Sequence, residues 1–220
     1  MKIITNAGVS AKVKKNGIIK LTVIATVAVT GIIFAVYSVF NAQYLFSLLY
    51  LLAAFLGVTY SVMKINTLLP PSIECDGKKL SLTTWDNCIF PYDVNFKPSV
   101  LADFVPAKTK TFEIPVSEIS SIVIGSKGFI IRSSSDSGAE QRFFEILGNN
   151  KKFHNTAKRS DIFYVTLKDG NVYFMSVDGF DADELYDIIN TVGHYVQGLE
   201  FKTNIRILRK KWEAGTLMRS

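Results

Sequence analysis

The chain has 220 residues and a formal charge of +6, which leaves room for one membrane unit and one soluble domain but not for two large domains. The positive charge is terminal: residues 1–20 carry +5, residues 64–201 carry −4 and residues 202–220 carry +5. A mildly acidic centre lacks the contiguous cationic face that duplex binding needs, so nucleic acid is not expected as a partner.

Residues 1–17 read as a basic cytoplasmic N-terminus holding Lys2, Lys12, Lys14 and Lys15. Ile18–Phe40 and Tyr44–Met63 follow as two transmembrane spans, and no Asp, Glu, Lys or Arg occurs from Leu21 to Met63. At about 1.5 Å per residue each run crosses a hydrocarbon core of about 30 Å. Only Asn41, Ala42 and Gln43 separate them, which predicts a hairpin. A cleaved signal peptide has a shorter apolar stretch, and Phe40 stands where a processing site before Gln43 wants a small residue. Lysines flank the hairpin's outer ends and none lies in its turn, so both termini are expected in the cytoplasm of a multi-pass membrane protein. Small residues recur at helical spacing: Ala28, Gly31, Ala35 and Ser38 in the first span, and Ser47, Ala54, Gly57 and Ser61 in the second. Such rows let helix backbones approach, either within the hairpin or against a helix of another protein. Neither apolar run offers the intramembrane acid or base of an ion path, so the spans read as an anchor.

Residues 64–71 form a linker ending in Pro70-Pro71, and a cytoplasmic domain is expected over 72–200. Asp76-Gly77 joins strand-like Ser72–Asp76 to Lys79–Trp85, and Asp169-Gly170 joins Ile162–Leu167 to Asn171–Val177, both as tight hairpins. Cys88–Tyr92, Thr111–Ile114, Ser120–Ile124, Gly128–Arg132 and Arg142–Leu147 are further strand-like runs, and about seven strands are expected from these and the two hairpins. Ser133–Gly138 and Asn149–Ser160 read as polar loops. Leu185, Ile188, Ile189, Val192, Val196 and Leu199 share one helical face behind Asp181 and Glu184 at capping-box spacing. In the tail, 201–220, Phe201, Ile205, Leu208 and Trp212 keep helical spacing among Lys202, Arg206, Arg209, Lys210 and Lys211. This basic amphipathic pattern suits an anionic leaflet, or packing on the domain.

The order of strands then one helix, with Thr111–Ile124 (TFEIPVSEISSIVI), Val165–Gly170 (VTLKDG) and Asp183–Ile189 (DELYDII), resembles bacterial pleckstrin-homology-like membrane proteins. The two-span hairpin is also similar to that family's arrangement. The resemblance implies an α+β domain, a bent antiparallel sheet closed by a C-terminal amphipathic helix, at a bacterial plasma membrane. It brings no catalytic residues with it.

Candidate sites are few. Cys75 and Cys88 are thirteen apart and His154 and His194 stand alone, so no metal ligand set is expected. Asp86, Asp93, Asp103 and the run Asp178, Asp181, Asp183, Glu184 define no catalytic pair, and the run suits a helix N-terminus. Gly125-Ser-Lys-Gly128 lacks the phosphate-loop spacing and reads as a hairpin turn before a strand. No cofactor and no enzymatic activity are expected. The membrane-surface candidates are Lys12, Lys14, Lys15, Arg206, Arg209, Lys210, Lys211 and Trp212, and the helix-packing candidates are Ala28, Gly31, Ala35, Ser47, Ala54 and Gly57. The expected role is a membrane-anchored scaffold that recruits a protein, with the bilayer as partner and self-association as a further mode. The alternative is sensing of anionic headgroups, with Lys78, Lys79, Lys108, Lys110 and Lys127 as nearest candidates.

Overall fold

The computed structural model describes residues 4–64, 71–85, 109–134, 138–147 and 157–217. They divide into a helical pair and a mixed α/β domain, and residues 4–10 belong with the domain that resumes at Pro71. The pair consists of α1 (Ala11–Phe40) and α2 (Tyr44–Lys64). Its turn closes through Ala42 N–H to Val39 O (3.0 Å) and Gln43 N–H to Ser38 O (2.8 Å), with Ala42 at φ 58°.

The domain has two four-stranded sheets. In the first, β1 (Thr5–Gly8), β2 (Ser72–Cys75), β3 (Lys79–Trp85) and β4 (Thr109–Pro115) are antiparallel in that order. The β2–β3 turn is held by the Asp76 carboxylate, which accepts from Lys78 and Lys79 N–H (2.9 and 2.7 Å), with Gly77 at φ 81°. A single helical turn, Val116–Glu118, leads to β5 (Ile119–Ser126). The second sheet runs β7 (Val172–Ser176), β6 (Asp161–Leu167), β5, β8 (Glu200–Thr203), and β8 lies parallel to β5. Gly170, at φ 83°, turns β6 into β7, where the Asp169 carboxylate accepts from Asn171 N–H (2.8 Å).

The core explains the element types. Ala7, Ile73, Leu80, Leu82 and Ile114 of the first sheet pack with Ile122, Ile124, Phe163, Val165 and Met175 of the second. Leu185, Ile188, Ile189 and Val192 of α5 (Ala182–Tyr195) and Leu208 of α6 (Arg206–Leu217) join the same core. On the second sheet's other face Val123, Ile162, Tyr164, Val172 and Phe174 are also buried, under Ile130, Ala139 and Phe143. Burial on both faces is why β6 reads as a continuous apolar run rather than an alternating one.

That second layer corrects two expectations. Gly128–Arg132 and Arg142–Leu147 are not strands but lie in α3 (Lys127–Ser133) and α4 (Ala139–Leu147). Short apolar runs do not separate strand from helix by periodicity. Here the outer face of the second sheet needs a cover, and Ala139 and Phe143, one helical turn apart, supply it. Gly125–Gly128 therefore leads into a helix, not a strand. The described strands are eight in two sheets, with one parallel pairing, in place of about seven in one antiparallel sheet. The expected strand Cys88–Tyr92 lies outside the described residues. The α5 helix also stops earlier than its apolar row suggests: Val196 caps it, and Gly198 at φ 75° turns the chain before Leu199.

The domain boundaries shift for the same reason. Residues 5–8 of the expected basic N-terminus form a strand, residues 11–17 are already helical in α1, and β8 runs into the expected tail, so Phe201 is a strand residue.

Candidate membrane hairpin and basic surfaces

The α1 helix has 30 residues and α2 has 21, or about 45 and 31 Å at the helical rise. The extra length of α1 is its first three turns, where Lys12, Lys14, Lys15 and Lys20 are all exposed. The remainder, residues 21–40, carries no charge, and α2 carries none before Lys64. Between the two helices lie small residues: Ala28, Ala35, Ser38, Ser47 and Ala54 are buried. A Cβ on Gly31 would stand 3.3 Å from Tyr50 O and 3.4 Å from Ala54 Cβ, and one on Gly57 would stand 2.9 Å from Ala28 Cβ. The glycines thus set the backbone separation. Phe34 and Tyr50 pack beside the seam with ring centroids 5.7 Å apart. The Ser61 hydroxyl is enclosed in the helical pair and has no hydrogen-bond partner.

The outward faces of the hairpin are apolar. Val27, Ile33, Phe34 and Tyr37 of α1, and Leu45, Leu48, Leu52, Phe55 and Leu56 of α2, are each about half exposed or more. Soluble proteins rarely present contiguous apolar area of this extent to water.

The C-terminal helix α6 is amphipathic, and its apolar side is used inside the domain. Leu208 is fully buried, and Trp212 packs on Phe201 with ring centroids 5.0 Å apart. Lys211 bonds Asp183 (2.6 Å) and sits over the Tyr186 ring, and that ion pair raises its pKa. Arg206, Arg209 and Lys210 face outward with Ile207, and Arg209 approaches Glu213 (3.9 Å). Trp212 and Lys211 are therefore held by the domain, whereas Arg206, Arg209 and Lys210 remain on its surface.

Other candidates resolve into structural roles. Asp181 caps α5, its carboxylate accepting from Asp183 N–H (2.8 Å) and Glu184 N–H (3.4 Å). Glu184 does not close the box on Asp181; it accepts from Gly8 N–H (3.0 Å), a contact between distant segments that spacing alone does not reveal. Asp178 accepts from Asp161 N–H (2.8 Å), and burial, then the charge of Asp178, push the Asp161 carboxyl up. Lys79 pairs with Glu113, Lys110 sits over Phe112, and Lys127 over Phe143. Burial lowers the Lys127 pKa. Cys75 is buried and its thiol is pushed up, mainly by desolvation. His194 is exposed and meets Tyr195 edge-on. Among the described residues no three His, Cys, Asp or Glu side chains converge as a metal site. Cys88, His154, Asp86, Asp93, Asp103 and Lys108 lie outside the described residues.

No protein-family model, curated protein or solved structure matches this chain.

Proposed function

We propose that this chain is a two-span membrane anchor carrying a non-enzymatic α/β binding domain at the cytoplasmic face of the plasma membrane. One observation carries the reading. The hairpin turns its small residues inward and leaves Val, Ile, Leu and Phe outward along both helices, an arrangement stable in lipid but not in water. Lysines at the outer end of α1, and their absence from the Asn41–Gln43 turn, favour termini in the cytoplasm. The pleckstrin-homology-like reading is supported by two sheets sharing one core with α5; α3, α4 and the parallel strand β8 depart from that pattern.

Recruitment of a protein is favoured over headgroup sensing. The buried side of α6 is occupied by the domain itself, and of the candidate lysines Lys79 is engaged by Glu113, Lys110 by Phe112 and Lys127 by Phe143. The test has two parts. The chain should stay with membranes through alkaline carbonate, and crosslinking of the full-length protein in cells should give a reproducible hetero-adduct. Release by carbonate contradicts the anchor. Self-adducts alone contradict recruitment, and anionic-lipid-dependent flotation would favour headgroup sensing.

A further inference from the structure

The first sheet contains a slot for a strand that the chain supplies from before the helical pair, whereas its partner strand follows that pair. The β1 strand pairs with β2 in the register Thr5–Cys75, Asn6–Glu74, Ala7–Ile73 and Gly8–Ser72. Its other edge is held by the entry to α5: Ser10 N–H donates to Gly179 O (2.7 Å), Asp181 N–H to Gly8 O (3.2 Å), and Gly8 N–H to Glu184 Oε2 (3.0 Å). The Thr5 hydroxyl lies 3.4 Å from Cys75 O and 3.2 Å from Thr191 Oγ1, and Ala7 has no exposed surface. This short strand is thus held on both edges, with Ala7 sealed into the core. Yet it precedes α1, whose first residue, Ala11, follows Ser10 directly, while β2 follows α2.

We propose that β1 is a clasp that makes complete folding of the domain conditional on both helices crossing the bilayer. The inference rests on the two-span reading above. Paired strands lie about 5 Å apart. A single crossing would put about 30 Å of hydrocarbon between β1 and β2, and the slot would stand empty. Glu184 and the Asp181 N–H would lose their partner at Gly8, and the β2 edge would be left open. An even crossing returns the chain to the side on which residues 4–10 stand, and the slot closes.

The test uses the full chain in native membranes with Asn6→Cys, Glu74→Cys and Cys88→Ser. Asn6 and Glu74 are directly paired and both exposed. Mild oxidation is expected to join them in most molecules, read as linked peptides by mass spectrometry, with a domain that resists limited proteolysis. Deleting residues 44–64 is expected to lower the crosslink at least tenfold and make the domain protease-sensitive. Replacing them instead with an apolar helix of the same length and unrelated sequence should restore both readouts. The clasp is overturned if the deletion variant crosslinks and resists proteolysis like its parent, or if the replacement helix fails to restore either. Retention in carbonate-washed membranes without any crosslink also overturns the clasp alone, whereas release by carbonate overturns the two-span reading beneath it.

Discussion

Two adjacent residues of α6 distinguish a helix docked on the domain from one lying on lipid. Leu208 has 0% of its surface exposed and Ile207 has 56%. Truncating a fully buried leucine to alanine costs about 2–5 kcal/mol, and a terminal helix that relaxes around the gap places Leu208→Ala near the lower half of that range. With a urea dependence of about 2 kcal/mol per molar, the unfolding midpoint of the domain should fall by about 1–2 M. Ile207→Ala removes the same kind of side chain from the outer face and should shift stability by no more than about 0.5 kcal/mol. The assay is urea unfolding of the detergent-solubilised full chain, followed by tryptophan fluorescence, since Trp212 sits against Phe201. Equal effects of the two substitutions would refute the docked helix. So would a Leu208→Ala variant that keeps its midpoint but loses a fluorescence response to anionic vesicles.

Three further outcomes follow from the packing and the electrostatics. The Asp161 carboxyl is raised by burial and by Asp178, so it binds its proton more tightly folded than unfolded, and its charge penalises folding at neutral pH. Asp161→Asn should raise the urea midpoint at pH 7, with the advantage shrinking as the pH falls toward 4; a constant or inverted difference contradicts this. Gly57→Leu forces a side chain into Ala28 and should destabilise the hairpin by about 1–3 kcal/mol, seen as earlier thermal loss of helicity in detergent. Val58→Leu, at an exposed position, serves as the unaffected control. In a Cys88→Ser background, Cys75 should alkylate at least about tenfold more slowly than a free thiol at neutral pH, because burial raises its pKa. Prompt labelling of the folded protein would mean that β2 is not sealed.

The residues that announce the fold do so by strong local chemistry. The charge-free run from Leu21 to Met63, the turns at Asp76-Gly77 and Asp169-Gly170, and the apolar row of α5 are legible because each is a backbone or solvation constraint within a few residues. What stayed hidden is non-local. β1 is Thr-Asn-Ala-Gly, without alternation, and becomes a strand only because β2 and Glu184 flank it. β8 is as short, and the spacing of Phe201 and Ile205 imitates a helix. The α3 and α4 runs look strand-like until the second sheet is seen to need cover on its outer face. Of the candidate surfaces, the small-residue rows carry their own spacing. The division of α6 into a docked and an outward side depends on Phe201, Tyr186 and Asp183, which lie in other elements.

The most direct test of the anchor and its topology is single-cysteine labelling with a membrane-impermeant thiol reagent in sealed vesicles of both orientations, in a Cys75→Ala, Cys88→Ser background. Ala42→Cys, in the hairpin turn, should label only from the outside, and Asn6→Cys and Glu74→Cys only from the cytoplasmic side. Labelling of positions 6 and 74 from opposite sides, or of position 42 from the cytoplasmic side, would contradict the anchor topology.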